Sequence, residues 1–141
     1  MTGYLGSQVC LDFLKDESFI VRGTVRDKRD QAKILPLKKA LGTYFDKLKL
    51  CYADLEDPDS IDYAIKGATF VVHTASPIRL LSQQVDEIDL ISPSVDSIKS
   101  VLESCKKHKV KRLVITSSIS AINAGWTEKD KPSKWNESHW S

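Results

Sequence analysis

Long apolar runs are missing from the 141 residues. No uninterrupted stretch approaches the ~20 residues that span a bilayer, and the start, Met1-Thr2-Gly3-Tyr4, carries no basic n-region. Membrane insertion and export are not expected, and a cytoplasmic location is the default. Paired cysteines are missing as well. Cys10, Cys51 and Cys105 are odd in number and widely spaced, with no Cys-x-x-Cys pair, and His73, His108 and His139 stand at no ligand spacing to them or to one another. A disulfide framework and a zinc site both drop out, which leaves reduced, packed thiols and no metal. Nor is there an excess of one charge: 21 Lys+Arg face 19 Asp+Glu, a net of +2. That balance argues against a dedicated nucleic-acid binder or an electrostatic membrane anchor. The one basic run, Lys106 to Arg112 (KKHKVKR), ends a helical pattern, where the helix dipole favours cations without any partner. Internal repeats and low-complexity stretches are absent too.

What remains is 41% hydrophobic and 28% charged, the composition of one globular domain. Ser7 to Asp16 has Val9, Cys10, Phe13 and Leu14 at helical spacing. Phe19 to Arg26 (FIVRGTVR) reads as a strand, followed by a basic loop. Lys33 to Lys47 is helical but interrupted by Pro36 and Gly42, so a short or broken helix is expected. Leu48 to Ala53 is the next strand. Asp57-Pro58 is a cap with proline at the first helical position, Ile61, Ala64 and Ile65 point inward, and Gly67 is the stop. Ala68 to His73 (ATFVVH) is almost continuously apolar, as in a strand covered on both faces. After a loop from Thr74 to about Glu87, Ser92-Pro93 repeats the cap signature. Val95, Ile98, Val101, Leu102 and Cys105 then form the inner stripe of a helix to about His108. Lys111 to Thr116 is the last strand, and Ser117 to Ser141 reads as loop without a stop signal. Strands alternating with helices make βαβ units, hence an α/β fold with a parallel sheet and helices on both faces.

The opening Thr2-Gly3-Tyr4-Leu5-Gly6 has the form of the back half of a glycine-rich phosphate loop. Gly3 would let backbone approach a pyrophosphate, Gly6 would allow close helix packing, and the helix behind would supply its positive end. Two glycines three apart are equally compatible with an ordinary turn. In a dinucleotide fold the residue about 20 positions beyond the last loop glycine selects the cofactor. Here it is Arg26, with Lys28, Arg29 and Lys33 nearby. An acidic residue would hold a ribose 2′-hydroxyl, whereas arginine favours a 2′-phosphate and therefore NADP over NAD. A merely solvated basic loop is the alternative.

Several ordered segments then coincide with one family pattern: Gly3-Tyr4-Leu5-Gly6, Val21-Arg22-Gly23-Thr24-Val25-Arg26-Asp27, Ala53-Asp54-Leu55, His73-Thr74-Ala75-Ser76-Pro77, Leu113-Val114-Ile115-Thr116-Ser117-Ser118 and Asn136-Glu137-Ser138-His139-Trp140-Ser141. On these segments the chain resembles the extended short-chain dehydrogenases, in the dihydroflavonol 4-reductase-like branch that includes anthocyanidin and cinnamoyl-CoA reductases. The resemblance implies a Rossmann-like fold and an NADP-dependent reductase that delivers hydride to a carbonyl on a small, often aromatic, substrate. It implies that Gly3, Tyr4, Leu5 and Gly6 form the phosphate loop and that Arg26 and Lys33 bind the 2′-phosphate. Asp54 and the backbone of Leu55 would meet the adenine, and Thr74, Ala75 and Ser76 would line the nicotinamide ribose. Ser118 matches the catalytic serine, which hydrogen-bonds the substrate carbonyl, and Asn123 matches a substrate-facing position. From spacing alone, Ser118 is as well explained by a strand-end hydroxyl capping backbone.

The departures from that pattern are specific. The family's acid is a tyrosine in Tyr-x-x-x-Lys, yet Tyr4, Tyr44, Tyr52 and Tyr63 are followed four positions later by Gln8, Leu48, Glu56 and Gly67. The first strand and first loop glycine of the family are not represented either. In the order 3-2-1-4-5-6 that strand is central, so the strands at Phe19 and Ala68 are expected to lack their common neighbour. Ser97 and Ser100 stand where the family has glycine and asparagine, and Glu17 falls within a turn one residue longer. Residues 1–141 are thus expected to be a partial NADP-binding, doubly wound domain without the substrate half. Three outcomes follow: a reductase inactive as this fragment, a non-catalytic NADP-binding or interaction module, or an incomplete gene product that does not fold stably.

Overall fold

The computed structural model describes residues 1–77 and 87–140, with 87–90 given by backbone alone. Helix α1 (Tyr4–Lys15) starts three residues before the expected Ser7, so Tyr4, Leu5 and Gly6 of the predicted phosphate loop form its first turn, and it buries Cys10 and Leu14. Strand β1 (Arg22–Val25) follows, then α2 (Gln31–Leu41), a 3-10 helix (Gly42–Lys47), β2 (Lys49–Tyr52), α3 (Pro58–Ile65), β3 (Phe70–His73), α4 (Glu87–Lys107), β4 (Arg112–Ile115) and the single turn α5 (Ser120–Asn123). Each strand is shorter than the run predicted for it. The predicted break at Gly42 is present, at φ 55. Pro36 does not break α2 but lies inside it. The first helical residue of α3 is Pro58, Asp57 Oδ1 accepts from Ser60 N at 3.2 Å, and Gly67 terminates the element at φ 76.

β1 pairs with β2, and β3 with β4, each in parallel and over four residues. Among the described residues β1 and β3 do not pair with each other, so the sheet is two separate ribbons. This is the separation expected of strands without their common neighbour. Side chains alternate across β1–β2. On one face Val21, Leu48 and Leu50 pack with α1 and α2 around Cys10, Leu14, Leu37 and Leu41. From the other face Arg22 reaches α3, where its Nη1 donates to the carbonyls of Ala64 (2.8 Å) and Lys66 (2.9 Å). Helices therefore lie on both faces. A second core joins α3 and α4 to β3–β4 through Ile61, Ile65, Val101 and Cys105 with Val71 and Leu113. The three cysteines are free and buried.

Several expectations are corrected. α4 begins at Glu87, with Ser92 and Pro93 inside it. Serine followed by proline marks a cap or a proline-bearing point in a continuing helix with equal ease, and only the residues upstream distinguish them. The inner stripe of α4 is also turned from the predicted one: Ser97, Val101, Ser104 and Cys105 are buried, whereas Val95 and Leu102 are about half exposed. Buried Ser97 satisfies itself on the Ser94 carbonyl at 2.9 Å. β3 is not covered on both faces, since Phe70 is 50% and Val72 is 38% exposed. The α3–α4 layer covers only the Val71 side. The segment after Ser117 is not all loop: α5 is followed by a cluster in which Trp126 stacks edge-on against Trp135 and His139, and Trp126 Nε1 donates to the Ile122 carbonyl at 2.8 Å. Most of the predicted loop after Thr74, residues 78–86, lies outside the described residues.

Candidate cofactor site

The amino end of α1 is where the predicted phosphate loop acquires geometry. Gly3 is the extended N-cap residue (φ −83, ψ 168) and supplies no side-chain cap. The first amides of the helix, from Tyr4 to Gly6, are left as donors at its positive end. A Cβ on Gly3 would meet nothing within 4 Å, so this surface is open to a ligand. Gly6 is different: a Cβ there would stand 3.0 Å from Met1 Cα and 3.2 Å from Thr74 Oγ1. Glycine is what allows α1 to lie against the carboxyl end of β3. Met1 in turn donates from its amino group to the Thr24 carbonyl at 2.8 Å, and burial holds that amine below its ordinary pKa. Residues far apart in sequence thus meet at one point: Gly6, Thr24 at the end of β1, and Thr74 after β3. Free amides at the positive end of a helix are the kind of group that receives an anion.

Arg26 follows β1 directly and is exposed, as is Lys33 in the first turn of α2. Arg29 is committed to Asp27, whose Oδ1 accepts from its backbone N (2.8 Å) and Nε (3.4 Å). Among the described residues Arg26 and Lys33 have no carboxylate partner. Ala53 N donates to the Val25 carbonyl at 3.1 Å, which brings the Ala53-Asp54 turn alongside Arg26. The turn is built on Ser60, a residue the sequence reading passed over. Ser60 is 7% exposed; its hydroxyl accepts from Asp54 N (3.0 Å) and donates to the Asp57 carbonyl (2.7 Å). Asp54 Oδ1 accepts from Glu56 N at 3.1 Å. The Leu55 side chain is taken up by the α3–α4 core, so only its backbone is left for a ligand.

Thr74 is half-buried, while Ala75 and Ser76 are exposed. Just before them, His73 Nε2 is buried with no partner among the described residues, and burial holds the imidazole pKa below its usual value. The His73 carbonyl accepts from Thr116 N at 3.0 Å, which sets the chain leading to Ser118 beside β3. Ser118 is exposed, and its Oγ accepts from Ser120 N at 3.2 Å, the capping contact of a strand-end hydroxyl. Asn123 is the exposed last residue of α5. No hydrogen bond among the described residues joins Ser118 or Asn123 to the α1 group. A separate open cleft, lined by Arg22, Lys28, Lys49, Cys51, Tyr63 and Lys66, contains none of the predicted residues.

Comparison with known proteins places this geometry in context. Residues 1–137 match the model of the 3-beta hydroxysteroid dehydrogenase/isomerase family. The chain is 39% identical to a dihydroflavonol 4-reductase of Medicago sativa over 129 residues, 91% of this chain and 57% of that protein. It is 36% identical to anthocyanidin reductase of Arabidopsis thaliana over 86% of this chain and 35% of that one. Among solved structures, vestitone reductase from alfalfa superposes with a TM-score of 0.64 at 35% identity, covering 86% of this chain and 35% of that one. The chain therefore spans between about a third and just over half of the length of these relatives.

Proposed function

Because the chain belongs to the 3-beta hydroxysteroid dehydrogenase/isomerase family, we propose that it is the cofactor-holding part of an NADP-dependent reductase of the dihydroflavonol 4-reductase type. The reaction class is reduction of a carbonyl on a small substrate, of a family whose substrates are often aromatic, with the substrate-binding half in the length that the relatives have beyond this span. The observation that carries the reading is the uncapped amino end of α1, held by Gly6 against Thr74 and by Met1 against Thr24, with Arg26, which has no carboxylate partner among the described residues, two positions beyond Thr24. In this reading the α1 amides from Tyr4 to Gly6 hold the pyrophosphate, and Arg26 and Lys33 hold the 2′-phosphate. Asp54 and the Leu55 backbone meet the adenine, and Thr74, Ala75 and Ser76 line the nicotinamide ribose.

When bound, NADPH supplies the hydride. Ser118 donates its hydroxyl proton in a hydrogen bond to the substrate carbonyl oxygen, while its lone pair still accepts from Ser120 N. Asn123 faces the substrate. No tyrosine in the sequence is followed four positions later by lysine, so the proton donor of the family is not among these residues. Without it the acid step, worth about 10² to 10⁴ in rate, is missing. The chain as given should bind cofactor without turnover, which makes a non-catalytic NADP-binding module the second reading. Among the described residues no helix is long and apolar enough to cross a membrane, and a cytoplasmic place suits the cofactor.

Fluorescence titration of the chain with NADPH and NADH tests this directly. NADPH should bind more tightly, and Arg26→Ala should remove most of that preference. One charge-assisted hydrogen bond is worth about 1.5–3 kcal/mol, or roughly 10- to 100-fold in affinity. Equal affinity for both cofactors, or none for either, would overturn the assignment.

A further inference from the structure

The open cleft between the β1–β2 ribbon and α3 plays no part in the cofactor reading. It encloses about 510 Å³, within the range of small-molecule sites. Its floor follows from the parallel register, in which Arg22 stands opposite Lys49 and Thr24 opposite Cys51. Partners in that register project to the same side, so the Arg22 and Lys49 side chains leave strands ~4.8 Å apart in one direction. Lys66, the C-cap residue of α3, and Tyr63, one turn earlier, line the helix side. Lys28, in the turn after β1, lines the cleft as well, and none of the lining residues is acidic.

Like charges directly opposite each other on a sheet repel unless something of the other sign lies between them. Here Arg22, Lys28, Lys49 and Lys66 have no carboxylate partner among the described residues. Their summed charge is twice the net +2 of the whole chain. Arg22 is also fixed in place, since its Nη1 donates to the carbonyls of Ala64 (2.8 Å) and Lys66 (2.9 Å). Those bonds bring the Lys66 backbone to the guanidinium and leave Nε and Nη2 without a partner among the described residues. An anion entering there meets a preset arginine fork with Lys49 on the neighbouring strand and Lys66 on the helix. The cofactor residues lie elsewhere: Arg22 and Lys49 are the first residues of β1 and β2, whereas Arg26, Asp54 and Thr74 come after the strands end. At ~3.3 Å per residue, roughly 13 Å of chain separates Arg22 from Arg26.

We propose that this cleft binds a small phosphate monoester, with the phosphate held by Arg22, Lys49 and Lys66 and the organic part against the Tyr63 ring. A phosphate dianion balances both opposed charges, where a carboxylate balances only one, and its three oxygens take donors from three directions at once. Tyr63 is 71% exposed, which leaves its ring face free for the organic part. Lys28 receives a second anionic group on larger ligands. The cleft stands on its own residues and does not depend on the cofactor reading.

The test is a titration of the isotope-labelled full chain with phenyl phosphate, followed through its amide signals, with inorganic phosphate and phenyl sulfate as comparison probes. Phenyl phosphate should shift the Arg22, Lys49, Cys51 and Lys66 amides saturably, and the singly charged sulfate ester should bind at least tenfold more weakly. Lys49→Gln and Lys66→Gln, both at exposed positions, should each keep the melting temperature and weaken phenyl phosphate roughly tenfold. Arg26→Ala should leave its affinity unchanged. Four results would overturn the proposal: no saturable shift, equal affinity for the two esters, inorganic phosphate binding as tightly as phenyl phosphate, or shifts confined to Tyr4, Leu5 and Gly6 and lost in Arg26→Ala. The third would mean a site for free phosphate, and the fourth that the probe enters the cofactor site instead.

Discussion

Ser60 shows what a single hydroxyl does in this protein. It satisfies the Asp54 amide and bonds the Asp57 carbonyl from a nearly inaccessible position. Ser60→Ala leaves the Asp54 donor without its partner, and the expected cost is about 1–3 kcal/mol, read from denaturant midpoints. NADPH affinity should fall with it if Asp54 meets the adenine. The Asp57-Pro58 cap was legible in the sequence because capping is local, whereas the bond from Ser60 to Asp54 runs six residues back into a loop that leaves no periodic signal. His73 carries a pH dependence. Burial lowers its folded pKa below the ordinary value of about 6.5, so the unfolded chain protonates first as the solution is acidified. Stability is then complete above that value and declines as pH falls through it. Denaturant midpoints should drop between pH 7.5 and 5.5, and His73→Gln should flatten that slope.

Helix ends and stripes were legible to different degrees. α3 carries its signals locally, between Asp57 and Gly67, and it forms where cap, proline and Gly67 placed it. The register of α4 was not legible, because the buried positions Ser97 and Ser104 are small and polar in composition but inward in packing. Hydrophobic periodicity cannot detect a face that buries serines. The end of α4 offers a test. Lys109 adopts φ 55 while Val110 N closes the helix onto the Cys105 carbonyl at 2.9 Å, a left-handed conformation that costs a non-glycine residue about 1–2 kcal/mol. Lys109→Gly should therefore raise the melting temperature by a few degrees without altering cofactor binding. An unchanged or lower value would mean that other contacts of the lysine outweigh the strain.

At the scale of the molecule, the alternation of strands and helices made the α/β class legible. The separation into two ribbons was also readable, since a doubly wound order puts the strand ahead of the phosphate loop between β1 and β3. What no sequence pattern announced is how the halves stay together. Arg22 ties β1 to α3, Phe19 meets Phe70, and Met1 joins the end of β1 to the amino end of α1. Those links join the parts that carry the residues proposed to bind cofactor, so on that reading folding and cofactor binding should be coupled. The most direct measurement is a thermal melt of the chain with NADPH, with NADH and with neither. A single cooperative transition that NADPH raises, and NADH raises little, is the predicted result. A transition that neither cofactor moves, or no transition at all, would contradict the account.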